Sequence, residues 1–320
     1  QRQMCIRDRF QIICFLFFFL LSGCISENTD DCSQGTFLKF RYVLNPANED
    51  LFSSSVDVVT VYVFDSEKKF VTMKVDSGYN LSGGNIMKLN LPDGRYDIVA
   101  IGGDLADYHI GTFDSTAEEF FKSGLEPFIT SLNDFRLKVV SVRQGTLFPD
   151  SLKDLFVGMV ENVEVRSGKE FNYMIDFTKN TNRVELRVLG LEHMEYTPVL
   201  SADNGRYNYR NAIPNDALER IYVPLSSNTR SEGKIFTYNI LRLMEDRWVS
   251  LHFLDNRGNN IIPEFEGLNI IEEIMKSPKY NQQMDLDRED YYEIELKFDG
   301  LTLVSMKING WEIISINPEV

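Results

Sequence analysis

The sequence predicts an all-β protein with two tandem β-sandwich domains. Short runs of alternating apolar and polar side chains recur along most of the chain, as half-buried strands require. Turn residues separate these runs at the spacing typical of β-sandwiches. Helical patterns are confined to two short stretches. Residues 115–121 have Ser115 as a candidate cap and Glu118 three residues later, as in a capping box. Residues 268–275 form the second stretch, which ends before Pro278. Neither is long enough to build a helical layer.

An apolar block precedes the predicted domains. Phe10–Leu21 is shorter than the roughly 20 residues of a membrane-spanning helix, so it is typical of a cleaved secretory signal. The block runs into Leu-Ser-Gly-Cys at residues 21–24, which matches the bacterial lipobox. We predict a signal peptide over residues 1–23, with Cys24 as the acylated first residue of the mature chain. The alternative is an ordinary signal peptide with a chance cysteine. Residues 4–8 match the translation of one reading frame of a common sequencing adapter. We therefore do not use the basic residues of this leader as support for a signal peptide.

The composition limits the partners. Residues 24–35 are polar and acidic, and they predict a lipidated tether. Without Arg2, Arg7, Arg9 and Asp8 of the leader, 30 basic and 47 acidic residues remain, a net charge of −17. Phosphate backbones repel such a surface, which argues against nucleic-acid binding and against electrostatic docking on anionic lipid. With Cys24 acylated, only Cys32 remains in the mature chain, so no intrachain disulfide forms and stability depends on buried apolar side chains.

The first predicted domain covers residues 36–165. Its clearest strand, Val59–Phe64, is β-branched and aromatic throughout, as a buried strand requires. The run Phe70–Val75 returns after a turn. Pro92–Gly94 predicts another turn, because proline presets the bend and glycine tolerates positive φ. Its other predicted strands are Leu38–Tyr42, Ile86–Leu91 and Tyr96–Ile101.

The second predicted domain covers residues 166–320, and the polar stretch Arg166–Lys169 marks its start. Its clearest element is a terminal hairpin of Leu303–Ile308 and Trp311–Ile316. Asn309-Gly310 joins these strands and is a pair that type I′ turns favour, because both positions need positive φ. Its other predicted strands are Phe171–Phe177, Arg183–Val188, Ile235–Leu243, Trp248–Leu254 and Tyr292–Phe298.

No pattern of catalytic or metal-binding residues stands out. His109, His193 and His252 lack neighbours at metal-binding spacing, and no nucleophile-elbow motif occurs. The acidic run Asp285–Asp290 begins like a calcium loop, but Asp290 stands where glycine is needed and Leu296 where the bidentate glutamate is needed. We interpret the run as a solvated turn. The sequence therefore predicts no catalytic residue, no metal site, no cofactor and no small-molecule substrate.

With these elements in place, the chain resembles the fimbrillin-associated anchor subunits of type V pili, also called minor fimbrium anchoring subunits. The family often shows a histidine where this chain has Val157 and a tryptophan where it has Ile101, which bears on the subfamily and not on the fold. The ordered motifs that carry the resemblance are Cys24 with Asp30–Ser33, Leu38–Tyr42, Val61–Asp65, Leu91–Tyr96, Asp154–Gly158, Thr178–Asn182 and Ile308–Trp311.

The resemblance implies two transthyretin-like β-sandwiches and lipid attachment at Cys24. It also implies a location in the outer membrane of a Gram-negative bacterium, at the base of a fimbrium, with the fimbrial shaft subunit as the expected partner. Assembly by β-strand addition would follow. The C-terminal strand is a candidate donor through Trp311, Ile313, Ile314 and Ile316. Because the Asn-Gly turn also pairs this strand locally, an ordinary terminal strand is the alternative.

Two other functions are compatible with the sequence. A surface lipoprotein could bind glycan or host protein through sandwich loops, with Tyr207, Tyr209 and Trp248 as exposed aromatic contacts. A secreted hydrolase held at the envelope would need paired carboxylates, whose test is a distance in space.

Overall fold

The computed structural model describes residues 35–78, 84–140, 147–148, 152–230, 233–262 and 268–315. These residues are mostly strands, which confirms the predicted all-β class. The short helices are α1 (Phe52–Ser55), α2 (Ile270–Met275) and α3 (Gln283–Asp287). The strands are β1 (Gly35–Arg41), β2 (Val58–Phe64), β3 (Phe70–Ser77), β4 (Ile86–Leu89), β5 (Gly94–Gly102), β6 (Tyr108–Phe113), β7 (Phe121–Ser123), β8 (Phe135–Val139), β9 (Leu147–Phe148), β10 (Phe156–Val165), β11 (Glu170–Asp176), β12 (Thr178–Lys179), β13 (Thr181–Leu189), β14 (Thr197–Ala202), β15 (Arg206–Asn208), β16 (Arg220–Tyr222), β17 (Ser226–Arg230), β18 (Gly233–Leu241), β19 (Val249–Leu254), β20 (Tyr291–Asp299), β21 (Thr302–Ile308) and β22 (Trp311–Ser315).

Two sheets enclose the first core. One has the strand order β11-β1-β4, and the other has the order β12-β10-β5-β2-β3. Central strand β1 alternates, so Leu38 and Phe40 are buried while their neighbours are half-exposed. Apolar side chains from both sheets and from α1 fill the space between them. The first core consists of Leu38, Phe40, Tyr42, Phe52, Val56, Val59, Val61, Val63, Met87, Leu89, Tyr96, Ile98, Ala100, Phe156, Val163, Val165, Ile175 and Phe177.

Strand β2 is buried along almost its whole length because both of its faces are covered. Val59, Val61 and Val63 point into the first core. Tyr62 and Phe64, on the opposite face, belong to a second hydrophobic cluster. Two covered faces explain why this strand is apolar throughout instead of alternating, as its sequence predicts.

The second core is continuous across three further sheets. Their strand orders are β15-β8-β6-β7, β17-β18-β13-β20-β21-β22 and β19-β14-β16-β9. The second core takes side chains from all three sheets and from one face of β2 and β5, including Tyr62, Val99, Phe135, Leu137, Leu186, Leu251, Tyr292, Met306 and Ile308. The two halves of the chain therefore share buried apolar surface.

Strand pairings cross the division predicted between residues 165 and 166. Strand β11, which follows it, pairs in parallel with β1 from Gly35 opposite Glu170 to Arg41 opposite Asp176. Strand β15 likewise pairs with β8, where Tyr207 lies opposite Leu137. Residues 35–320 form one compact unit, and the division into domains stays a prediction.

One predicted helix is absent and the other is present. Residues 115–121 form no α-helix, because Glu119 and Phe120 have φ values of 53° and 54° and only a 3-10 turn at Glu118–Phe120 forms before β7. Ser115 caps nothing; Asp114 accepts the Thr116 N–H instead, at 2.9 Å, which favours a turn.

The helix predicted over residues 268–275 is confirmed as α2, and the Asn269 side chain caps it by accepting the Ile271 N–H. Within the described ranges, no helix has the length and apolar character needed to cross a bilayer.

Candidate functional site

The terminal hairpin that the sequence predicts is present. Asn309 and Gly310 have φ values of 47° and 80°, as a type I′ turn requires. Asn309 also fastens the turn to β20: its N–H donates to Glu293 O at 2.8 Å, and its side-chain oxygen accepts the Glu293 N–H at 2.7 Å. Its Nδ2 donates to the Tyr280 hydroxyl at 2.7 Å. Asparagine therefore determines both the turn and its attachment.

Strand β22 is the end strand of the six-stranded sheet. Within the described part of the chain it pairs only with β21, so its other edge is free. Ile313 and Ile314 pack partly against the second core, and Trp311 is 49% exposed. Ile316 lies outside the described residues. The structure thus brings three of the four predicted contact residues together on a locally paired terminal strand.

The outer face of the six-stranded sheet is charged. Glu293, Glu295 and Lys297 point away from the core, and the alternate positions of β20 are buried, as predicted. Lys307 lies 3.3 Å from Glu295, and Arg187 lies 3.4 Å from Glu293. Exposed pairs of this kind contribute little stability. They make this face of the sheet hydrophilic.

A buried polar group joins the two halves of the chain. Asn180, between β12 and β13, donates its N–H to Leu155 O and accepts the Arg242 N–H at its carbonyl, at 2.6 and 2.9 Å. Its side-chain amide exchanges two hydrogen bonds with that of Asn211, at 2.5 and 2.9 Å. Arg242 then pairs with Asp287 through two bonds of 2.6 Å. The sequence does not reveal this junction, since its members lie far apart along the chain.

A second contact between the halves is a tyrosine–carboxyl pair. The Tyr42 hydroxyl, at the end of β1, donates to Asp290 Oδ1 at 2.9 Å. Burial and the nearby Asp290 carboxylate raise the pKa of Tyr42 well above its ordinary value. Burial also raises the pKa of Asp290. The hydrogen bond from Tyr42 lowers the pKa of Asp290, but burial outweighs it, so the net effect is a raised pKa.

Asp216 holds a loop against two strands. It accepts hydrogen bonds from Arg136 of β8 at 3.1 Å and from Arg206 of β15 at 2.7 Å. Burial raises the pKa of Asp216, but the hydrogen bonds and charges of these arginines outweigh it, so the net effect is a lowered pKa. The Arg206 side chain has no exposed surface, so this carboxylate is its essential counter-charge.

The acidic run at residues 285–290 is structural and is not the solvated turn that the sequence predicts. Its first half belongs to α3, and Asp287 is 9% exposed because it pairs with Arg242. Glu289 accepts a hydrogen bond from Tyr280 at 2.9 Å. Among the described residues, no group of three histidine, cysteine or acidic side chains could hold a metal ion.

The aromatic residues proposed for ligand binding differ in exposure. Tyr207 is 1% exposed and belongs to the second core, so the prediction that it is exposed is wrong. It is buried because β15 pairs with β8 inside the molecule. Tyr209 is half-buried under the Arg210 guanidinium, 5.3 Å from its ring centre. Trp248 is 40% exposed. These three side chains therefore do not form one exposed aromatic surface.

Comparison with solved structures shows the same fold in a fimbrial anchor protein and in a DUF1812 protein described as polysaccharide binding. The fimbrial anchor protein Mfa2 from Porphyromonas gingivalis superposes with a TM-score of 0.71 at 19% identity, over 89% of this chain and 100% of that chain. A DUF1812 protein from Bacteroides thetaiotaomicron superposes with a TM-score of 0.71 at 23% identity, over 88% of this chain and 98% of that chain. No curated protein sequence matches the chain.

A family comparison covers nearly all of the described structure. The matching family model is that of the fimbrillin-A associated anchor proteins Mfa1 and Mfa2, and it extends over residues 29–317. The match includes both cores, the junction around Asn180 and the terminal hairpin. It confirms the resemblance inferred from the sequence motifs. This chain belongs to the family of fimbrillin-A associated anchor proteins, which are structural components of fimbriae and not an enzyme family.

Proposed function

We propose that this protein is an outer-membrane lipoprotein that anchors a fimbrium at the cell surface and supports its assembly by β-strand addition to the shaft subunit. Membership of the anchor family supports the fimbrial role. The lipobox ending at Cys24 supports the lipid attachment. The free edge of β22 is the observation that carries the strand addition.

The proposed membrane link is the acylated Cys24. Two buried acyl chains anchor far better than one, at about 0.8 kcal/mol per buried CH₂. The first described strand begins at Gly35, so the tether from Cys24 spans at most about 38 Å when fully extended, at roughly 3.5 Å per residue. The folded unit would then stand close to the membrane surface.

Lipid attachment is tested by metabolic labelling with palmitate, and the chain provides its own control. We expect Cys24→Ala to lose the label and to be released from the outer membrane. Cys32→Ala should keep the palmitate label and its attachment to the outer membrane, because only the lipobox cysteine is acylated. A labelled Cys24→Ala protein, or a mature chain with a free amino end elsewhere, would contradict the proposed attachment.

The proposed contact with the shaft is the edge of β22. A free strand edge presents unpaired N–H and C=O groups, and an added strand satisfies them while its alternate side chains provide specificity. Trp311 lies at the start of this strand and is half-exposed, as a contact residue should be. Ile313 and Ile314 fix the strand on the core from the other side.

The two tryptophans of the chain give a matched test of this contact. Trp311 is 49% exposed and Trp248 is 40% exposed, but only Trp311 lies on β22. We expect Trp311→Ala to weaken binding of purified shaft subunit about 30-fold, the effect of an aromatic contact worth about 2 kcal/mol. Trp248→Ala should change binding less than twofold. Equal effects of both substitutions would contradict a contact at β22, and deletion of residues 310–320 should abolish binding while acylation persists.

A further inference from the structure

A second free strand edge lies in the other half of the chain. Strand β3 is the end strand of the five-stranded sheet and pairs only with β2 among the described strands. Gly78 donates its N–H to Asp57 O just before β2, so alternate residues of β2, counted from Asp57, bond to β3. Met73 and Val75 lie opposite the intervening positions. They therefore direct their N–H and C=O groups away from the sheet.

Two side chains of this edge strand, Met73 and Val75, are apolar and accessible. Met73 is 57% exposed and Val75 is 52% exposed. Natural proteins usually protect such an edge with charge, proline or a covering segment, since it invites pairing with another chain. The described residues cover only the beginning of β3, at Phe70. Beyond Phe70, Met73 and Val75 therefore present N–H and C=O groups that no described residue pairs, although Lys74 and Asp76 of the same strand carry charge.

An apolar groove runs beside this edge. It has a volume of about 420 Å³ and separates β3 from β6 and from the loop after β7. Tyr62 and Phe70, both 6% exposed, contribute to its wall. The principal apolar residues around the groove are Tyr62, Phe70, Met73, Ile110, Leu125 and Pro127. A strand added beside β3 would point every second side chain toward this groove.

The chain itself already occupies the first part of the edge. Phe70 donates its N–H to Thr130 O at 2.9 Å and accepts the Phe128 N–H at its carbonyl at 2.7 Å. The contact is made by a turn at residues 126–130, in which Phe128 has a φ of 63° and Thr130 donates its N–H to Glu126 O at 3.0 Å. Phe128 and Ile129 are 70% and 66% exposed on this turn. Among the described residues, β3 has no strand partner on this side. The turn therefore covers the edge of β3 at Phe70, and the part of the edge at Met73 and Val75 lies beyond it.

We propose that the edge of β3 receives an extended segment of the shaft subunit, which adds to the five-stranded sheet as a sixth strand. This inference rests on the proposed anchoring function and assigns it a second contact. The segment must be apolar on the side that faces the groove. Its other side must be polar, because Lys74 and Asp76 form an ion pair on that face of β3, 3.2 Å apart, and Lys74 also donates to Lys88 O of β4. Alternating side chains of this kind define a strand and exclude an amphipathic helix.

Proline at an outward-facing position tests the edge without breaking the sheet. The N–H of Val75 makes no bond to β2, so Val75→Pro should fold normally. It removes an edge donor and places a ring in the path of an added strand. We expect the full-length variant to bind purified shaft subunit at least tenfold more weakly than the wild type. Val75→Thr keeps the N–H and the branched shape, so it should bind within twofold of the wild type.

A groove variant and hydrogen exchange provide independent measurements. Met73→Glu places a charge beside the groove and should weaken binding at least tenfold, while Met73→Leu should not. In the wild type, the amides of Met73 and Val75 should exchange more slowly once purified shaft subunit is added. The thermal unfolding midpoint of each variant is measured first as a control for folding. The midpoints of Val75→Pro and Val75→Thr should agree with each other.

The outcomes separate this inference from the proposed function. Wild-type binding that Val75→Pro and Met73→Glu leave unchanged would overturn the β3 contact and leave anchoring intact. Failure of the wild type to bind the shaft subunit would overturn both. If Val75→Pro abolished only self-association of this chain, the occupant would be a second copy, and the assignment to the shaft subunit would be wrong.

Discussion

Removing one carboxylate from the buried junction should destabilise the protein strongly. Asp287 and Arg242 have side chains that are 7% and 9% exposed, and two bonds of 2.6 Å join them. Asp287→Ala leaves the guanidinium buried, and Asn211 O is then its one remaining acceptor among the described residues. Breaking a buried pair in this way costs about 3–5 kcal/mol. With a urea dependence of about 3 kcal/mol per M, the unfolding midpoint should fall by about 1–2 M.

A second substitution separates the stranded charge from simple loss of packing. Arg242→Met with Asp287→Leu removes both charges and keeps apolar volume, so it should recover most of the lost free energy of unfolding. The exposed pair of Arg41 and Asp176 is the matched control, at 2.8 Å and with both side chains more than two-fifths exposed. Asp176→Ala should leave the urea midpoint unchanged. The reasoning would be refuted if Asp287→Ala were as stable as the wild type. It would also be refuted if the double variant were no more stable than Asp287→Ala.

Three further predictions concern single residues. Because the pKa of Asp216 is lowered in the folded protein, its stabilising effect is present above its ordinary pKa and is lost as pH falls through the lowered value; urea unfolding should show Asp216→Asn less stable than wild type at pH 7, with a difference that shrinks in acid. The pKa of Asp290 is raised, so the pH dependence of its effect on stability has the opposite sign. The wild type should lose stability relative to Asp290→Asn as pH rises from about 4 through the raised pKa. A difference in unfolding free energy that does not change with pH would contradict this prediction. Gly190 has a φ of 91° and an added Cβ would lie 2.2 Å from Phe298 O, so Gly190→Ala should lower the thermal midpoint more than Gly258→Ala, where φ is 84° and the space is open; equal effects would contradict the clash.

Local chemistry predicts the elements that depend on a few neighbouring residues. The Asn309-Gly310 pair predicts the terminal hairpin because the turn conformation is set by those two positions. The apolar run at residues 59–64 predicts a buried strand, since its side chains must be covered wherever the strand is placed. The family motifs, taken in order, predict the family.

Properties set by distant pairings were not accessible from the sequence. The sequence around Tyr207 predicts an exposed tyrosine. It is buried because β15 pairs with β8, which lies about 70 residues earlier in the chain. The free edge of β3 is likewise a property of sheet order and not of its own residues. At Glu119 the local helix signal is overridden, because the turn at Asp114 and the pairing of β7 favour a left-handed conformation.

The position of β1 has a mechanical consequence. It is flanked on both sides, by seven parallel pairs with β11 and four antiparallel pairs with β4. A force applied at Gly35 and directed back along the strand would load these hydrogen bonds in shear, so many must rupture at once. A strand peeled from its end would instead lose its bonds one after another. Strand β1 is thus placed to resist a pulling force that acts at Gly35.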